Sequence, residues 1–269
     1  MSHPYLSVVI PAYNEAQRID ATLAAAHKYL LRQRYRWELL VVLDGSTDDT
    51  LAHVRRFAAG RPGIGWIERR ENRGKGYSIR EGLLAAAGDI RLFMDADNST
   101  SLDHFDRMRP LFDDGCDLVF CSRDPKDAAG ARRAVPQSLL RSTAGRAGNL
   151  FIQALLLPGI WDTQCGFKAF TRRAALSLCP ACDMDRWSFD VEVLALAKRQ
   201  NFQLGIAPAD WVDDARSHVR PRHFLDMLRE TAQIRGRLWR GHYDARLAAA
   251  QKLAEADGSS LLPSREKVA

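Results

Sequence analysis

Five short aliphatic runs alternate with segments of helical periodicity over residues 5–123, and that alternation leaves few folds open. Residues 7–11 (SVVIP) and 37–43 (WELLVVL) are aliphatic and β-branched without the polar alternation of a half-solvated strand. They read as strands buried on both faces of a parallel sheet. Further strands are expected at 64–67, 90–94 and 117–121. Between the first two, residues 15–34 place Ile19, Leu23, Ala26 and Leu30 at helical spacing. Ser46 or Thr47 stands where it would cap a helix reaching Ala59, and helices are expected over 77–87 and 102–112. Such alternation requires a doubly wound, mostly parallel α/β sheet, in which ligands gather outside the carboxyl ends of the strands. The chemistry-bearing residues stand at those ends, at 11–15, 44–46, 72–76, 95–100 and 122–123.

After residue 123 the pattern changes. A loop rich in Arg, Ala and Gly leads into a helix over 136–157 that Pro158-Gly159 interrupts; residues 162–168, a short strand, a helix over 190–200 and a strand at 203–208 follow. The expected organisation is one domain over 1–220, with a nucleotide half at about 5–123 and an acceptor half at about 124–220. A basic amphipathic helical extension over 221–247 and a frayed polar tail over 248–269 complete it.

Composition narrows the classes of function. With 27% charged and 46% hydrophobic residues in 269, the chain is an ordinary folded domain rather than a disordered one. No apolar run approaches the roughly 20 residues that cross a bilayer, and residues 1–5 lead into the first strand without a secretion signal, so a cytoplasmic protein is expected. Five cysteines, an odd number, suit reduced thiols; Cys179-Pro180-Ala181-Cys182 has redox spacing but no companion pair for a zinc site and reads as a structural loop. The net charge of +6 is concentrated, because residues 216–246 hold eight arginines against Asp226, Glu230 and Asp244. No nucleic-acid-binding module or interleaved aromatics accompany them, which argues against a nucleic-acid partner. An anionic membrane surface or a phosphorylated acceptor is expected instead, with peripheral attachment at the inner face of the cell membrane. Phe224, Leu225, Met227, Leu228, Thr231, Ala232, Leu238 and Trp239 supply the apolar side of such a helix, and Arg229, Arg235, Arg237 and Arg240 its charge. The same pattern would also suit a helix packed on the sheet.

Asp95-Ala96-Asp97 follows directly on the run 90–94 and delivers hard oxygen ligands at a sheet edge, where Mg²⁺ or Mn²⁺ can bridge them to nucleotide phosphates. Alone, an acidic pair also ends strands as a solvated turn. Asp44-Gly45-Ser46 lies at a strand-to-helix turn, where a carboxylate can accept from a nucleobase imide N–H and Gly45 permits close approach. Asn72-Arg73-Gly74-Lys75-Gly76 is glycine-rich but has neither Walker A nor dinucleotide spacing; Lys75 is a point charge for phosphate, and Arg80 lies a helical turn further on. Residues 162–168 (DTQCGFK) are the least generic string in the chain. In residues 186–192 (RWSFDVE), Asp190 and Glu192 stand two apart at a helix start, so at most one can face a shared ligand squarely.

The succession VVIPAYNE (8–15), Asp44-Gly45-Ser46, Asn72-x-Gly-Lys-Gly76, Asp95-Ala96-Asp97, Ser122-Arg123, DTQCGFK and RWSFDVE resembles family 2 glycosyltransferases of the GT-A fold. Within that family it is most similar to dolichyl-phosphate β-glucosyltransferases and other polyprenyl-phosphate glycosyltransferases, over about residues 5–219. Leu43 stands where such enzymes often carry a second acidic residue. The resemblance implies inverting transfer of a sugar, glucose from UDP-glucose, to a polyprenyl phosphate. It also implies that Pro11, Tyr13, Glu15 and Asp44 bind the nucleoside, that Asp95 supports the ribose or sugar, that Asp97 holds the metal, and that Lys75 and Arg80 serve the diphosphate. An acceptor phosphate is ionised at neutral pH and needs positioning rather than a strong base; Arg123, Arg141, Arg146 and Lys168 are the candidates to grip it. A hydroxyl acceptor would need a carboxylate base, with Asp190 or Glu192 first in line. The alternatives are therefore a soluble metal-dependent glycosyltransferase acting on a hydroxyl, and a non-catalytic nucleotide-sugar-binding protein.

Overall fold

A computed structural model describes residues 3–133, 139–212 and 222–258, apart from the side chains of 133, 139–144, 222–224 and 258. The chain runs β1 (Leu6–Ala12), α1 (Ile19–Leu30), β2 (Trp37–Asp44), α2 (Thr50–Ala58), β3 (Ile64–Arg69), α3 (Lys75–Ala85), β4 (Ile90–Met94), α4 (Phe105–Asp113) and β5 (Leu118–Ser122). It continues through β6 (Arg132–Arg133), α5 (Leu139–Leu155), β7 (Phe167–Thr171), α6 (Arg172–Leu178), α7 (Phe189–Arg199), β8 (Leu204–Pro208), β9 (Asp210–Trp211), α8 (Arg222–Trp239) and α9 (Asp244–Gly258).

Seven strands form one sheet in the order β3-β2-β1-β4-β7-β5-β8, and β6 pairs with β9 in a two-stranded ribbon. All pairings in the large sheet are parallel except those of β7, which is antiparallel to both β4 and β5. The central strands are apolar on both faces because both are covered. Val9, Val42 and Phe93 face the core beneath α3, α6 and α7, whereas Val8, Ile10 and Leu92 face the core beneath α1 and α4. The antiparallel β7 matters for function. It starts at the carboxyl-end rim and descends, so the loop before it passes over the end of β4, where Asp95 stands.

Several local expectations differ. Ser46 and Thr47 do not cap α2, which starts at Thr50 with Asp49 at its N-cap; both instead meet Asn14, whose N–H donates to Ser46 Oγ (3.2 Å) and whose Oδ1 accepts from Thr47 N–H (2.8 Å). The helix expected from residue 77 begins at Lys75, which puts that cation at the first turn. Residues 248–258, expected as part of a frayed tail, belong to α9, because Leu247, Ala250 and Ala254 recur at helical spacing and are buried; residues 259–269 lie outside the described residues. The apolar side of α8 is also reassigned. Met227, Thr231 and Ile234 are buried and Leu228 and Leu238 pack on the core, so those side chains cover the domain rather than a bilayer. Its outer face keeps Leu225 and Trp239, exposed by 58% and 82%. Phe224 lies outside the described side chains, and among the described residues no helix is long and apolar enough to cross a membrane.

Candidate active site

Loops at the carboxyl ends of β1, β2, β4 and β5 meet the start of α3 and the segment before β7. Asp95 and Asp97 follow β4 by one and three residues. The Lys75 ammonium reaches across from the first turn of α3 to Asp95 Oδ1 at 2.5 Å and stands over the Trp187 ring at 5.4 Å. Burial alone would lower the Lys75 pKa, but Asp95 and then Asp190 hold it above its ordinary value, so the ammonium stays charged. Asp97 moves the other way. Burial first, and the neighbouring Asp95 charge second, raise its carboxyl above the ordinary range, while Ser99 N–H donates to Oδ1 at 2.9 Å. From the other side, Asp95 N–H donates to Gly166 O (3.1 Å), which lays residues 162–168 against the carboxylate pair.

On the nucleotide side, Pro11 is half-buried at the end of β1 and Tyr13 is 44% exposed at the rim. Glu15 accepts from Arg18 Nη2 at 2.8 Å. Asp44, expected to accept from a nucleobase, is buried and holds the chain's own glycine-rich loop. Oδ1 accepts from Arg73 N–H (2.8 Å) and Arg69 Nη2 (2.9 Å), and Oδ2 accepts from Gly74 N–H (2.8 Å). Gly45 makes the close approach it promised, but to protein; with φ of 67°, a Cβ there would strike the backbone of Glu71 and Asn72. Arg80, expected at the diphosphate, donates to Cys182 O (2.7 Å) and Asp185 Oδ1 (2.6 Å).

On the acceptor side three expected roles change. Arg123 donates from Nε and Nη2 to the two oxygens of buried Asp162 (2.7 and 2.8 Å), and its backbone N–H adds a third bond at 2.8 Å, so its fork is spent on protein. Lys168 is wholly buried in β7, where Nζ donates to Cys165 O (2.7 Å) and Asp190 Oδ1 (2.5 Å) and lies 5.7 Å from the Phe93 ring centre. It is a buried counter-ion and cannot touch an acceptor phosphate. Glu192 is not a surface base, for it accepts from the N–H groups of Asp183 and Met184 (2.9 and 2.8 Å) and from Tyr243 Oη (2.8 Å). Arg146 is exposed on α5; the Arg141 side chain lies outside the described residues.

A sequence model of the family described as Glycosyl transferase family 2 matches residues 7–178, from β1 to the end of α6. The chain belongs to that family. A dolichyl-phosphate β-glucosyltransferase from Dictyostelium discoideum is 32% identical over 243 residues, covering 87% of this chain and 74% of the relative. Its Saccharomyces cerevisiae counterpart is 34% identical over 226 residues, 77% of this chain and 66% of the relative. Among solved structures, glucosyl-3-phosphoglycerate synthase from Mycobacterium tuberculosis, in complex with Mn²⁺, uridine diphosphate and glucosyl-3-phosphoglycerate, superposes with a TM-score of 0.63 at 20% identity over 86% of this chain and 78% of that one. That likeness is one of fold, and the fold is GT-A.

The glycosyltransferase has a donor set suited to a hard divalent ion. Asp95 and Asp97 offer only oxygens, their mutual repulsion is what a cation would relieve, and Asn98 Oδ1 next to them is buried without a hydrogen-bond partner. Among the described residues no three His, Cys, Asp or Glu side chains converge. A Mg²⁺-type ion held by one or two carboxylates and completed by substrate phosphates matches that arrangement better than a closed protein cage. Sequence reasoning missed Arg69, Asp127, Asp183 and Asp185 in this glycosyltransferase. Asp127 accepts from Trp161 and Asp162 N–H groups (both 2.8 Å) and from Ser122 Oγ (2.7 Å), folding the approach to the DTQCGFK segment. None of these lies in a recognisable string; each was legible only as a charge beside a turn.

Proposed function

We propose that this glycosyltransferase transfers glucose from UDP-glucose to a polyprenyl phosphate with inversion at the anomeric carbon. The observation that carries the choice of acceptor is the state of the two carboxylates a hydroxyl acceptor would call upon. Asp190 is ion-paired with buried Lys168, and Glu192 is consumed by two backbone N–H groups and a tyrosine. Both are buried and turned to the chain's own partners, so neither stands open to an acceptor hydroxyl, and an acceptor phosphate, ionised already, asks for no base. The relatives named above are dolichyl-phosphate β-glucosyltransferases, which supports the same acceptor class.

In this reading the nucleoside lies along Pro11, Tyr13 and Glu15, while Asp44 acts indirectly by shaping the 72–76 loop. Lys75 neutralises the diphosphate as it leaves, and Asp95 aims Lys75 and supports the ribose or sugar. Mg²⁺ or Mn²⁺ at Asp97, with Asp95 beside it, would supply further charge neutralisation to the leaving diphosphate. An acceptor phosphate oxygen forms the new bond to the anomeric carbon while the old carbon–oxygen bond breaks, its electron pair leaving with the nucleoside diphosphate. Arg146 and Arg141 on α5 are the cations assigned to the acceptor phosphate. Arg123 and Lys168 stabilise the walls.

A donor-by-acceptor assay tests the proposal, using UDP- and GDP-sugars with a short polyprenyl phosphate or the matching polyprenol, each with metal and with chelator. Transfer from UDP-glucose to the phosphate alone, lost in chelator, is the expected result. Equal transfer to polyprenol would replace the acceptor class, and a preference for a GDP-sugar would replace the donor.

A further inference from the structure

The family match ends at residue 178, yet the segment that clamps the donor loop lies beyond it. Residues 182–186 sit against the start of α3. Tyr77 N–H donates to Asp185 O (3.0 Å), and Arg80 bonds both Cys182 O and Asp185 Oδ1. A Cβ on Gly74 would overlap Asp185 O, and one on Gly76 would overlap Met184 O, so the two backbones are in direct contact. Lys75 stands between those glycines, and its reach to Asp95 is set by where this contact holds the first turn of α3.

The clamp is itself held from the other side by the α8–α9 hairpin. Arg246 donates from Nη1 and Nη2 to the two oxygens of Asp183 (2.7 and 2.6 Å), His242 Nε2 meets Oδ2 at 2.7 Å, and Arg237 Nη1 adds a longer bond at 3.3 Å. The Arg246 bonds, aided by His242, hold the Asp183 carboxyl down to about 2 despite partial burial. Below it, Glu192 takes the Asp183 and Met184 N–H groups and the Tyr243 hydroxyl, tying the same residues to α7 and to the turn that leads into α9. A carboxylate gripped by a bidentate guanidinium and a histidine fixes orientation as well as position.

We propose that Asp183 is a positioning residue for donor chemistry, through which the C-terminal hairpin sets the 72–76 loop and the Lys75 ammonium. The chain of contact runs from Arg246 to Asp183, through the backbone of 184–185, to Gly74 and Gly76, and so to Lys75 and Asp95. Its catalytic consequence rests on the donor reading above; the mechanical link does not.

Hydrogen exchange and kinetics on the full chain separate the two. In Asp183→Asn, and in Arg246→Met approached from the other partner, amides of residues 72–80 should exchange at least about tenfold faster while α1 and α2 stay protected. The turnover number should fall by about tenfold or more, with the acceptor KM within about twofold, and Asp183→Glu should recover part of the loss. Asp244→Asn is the control. It cuts the hairpin's tie to Arg199 (2.7 and 2.9 Å) without touching 182–186, and should change neither the exchange of 72–80 nor the turnover number. Unchanged exchange at 72–80 in both Asp183→Asn and Arg246→Met overturns the link, whatever the enzyme transfers. Faster exchange with unchanged turnover, or an Asp244→Asn effect of the same size, overturns the positioning role. A wild-type protein that does not use UDP-glucose would refute the donor reading and leave the exchange result to decide the link.

Discussion

At Gly166 a hydrogen is the whole side chain, and nothing larger fits, because the Asp95 carboxylate occupies the space into which a Cβ would project. The neighbour here is the end of a side chain that Lys75 holds, so relief must come from moving the Asp95 carboxylate off that ammonium. Gly166→Ala should therefore lower transfer by about a hundredfold, the usual consequence of a misplacement near 1 Å, and cost only about 1–3 kcal/mol in stability; kinetics with parallel thermal melts would show it. A proportionate loss of folded protein would mean that the clash unfolds the domain rather than displacing the carboxylate. Asp97 carries the opposite kind of strain, a carboxylate kept beside another carboxylate and partly out of water. Asp97→Asn keeps the shape and removes the charge, so transfer should fall by about two to three orders of magnitude while the melt is unchanged or rises. Near-normal turnover of that variant, or full wild-type activity in chelator, would take the metal out of the reaction.

Between elements, a bidentate tie on the acceptor side joins the end of β5 to the segment before β7 through Arg123 and Asp162. Burial would raise the Asp162 carboxyl, but Arg123 beside it holds it down to about 2. A carboxyl depressed in the folded state contributes stability that is complete above its unfolded value, about 4, and is lost as pH falls towards 2. Unfolding free energy measured by urea should therefore fall steeply over that window in the wild type and less steeply in Asp162→Asn, which starts lower at neutral pH. A wild-type acid limb matched by the variant would assign it to other carboxylates. Arg123→Lys keeps the charge but replaces a two-bond fork with a point, and should cost about 1–3 kcal/mol.

For the molecule as a whole, the uneven charge acquires an address. Arg237 and Arg246 are bound to Asp183, whereas Arg229 and Arg235 lie on the exposed face of α8 with Leu225 and Trp239, and Arg240 is exposed just past its end. With the periodic apolar residues turned inward, what the described residues of this helix offer an anionic leaflet is a few cations, each contributing about 1 kcal/mol, together with Leu225 and the Trp239 indole. Cosedimentation should accordingly be selective for anionic vesicles, present at about 20 mM salt and largely lost by about 200 mM. Arg235→Gln with Arg240→Gln should weaken it. Binding to neutral vesicles, or binding indifferent to both substitutions, would contradict a surface of this kind.

The sequence by itself determined the sheet, the rim and the place of the paired carboxylates Asp95 and Asp97 at it. Strands buried on both faces leave an uninterrupted apolar signature, and carboxylates that end such strands must emerge at one edge, so residues 7–11, 37–43 and 90–97 could be read locally. It also contained the signal of the family, because seven short strings in order are far less degenerate than any one of them. Only the tertiary structure decided which charges are spent on protein. Asp44, Arg80, Arg123, Lys168 and Glu192 look like ligands in sequence, yet each meets a partner between 8 and 105 residues away that no local period reveals. The antiparallel entry of β7, the inward turn of α8 and the grip on Asp183 belong to the same class. They follow from which surfaces remain uncovered once the sheet has formed, and a buried charge is stable only if the completed fold brings its counter-charge to it.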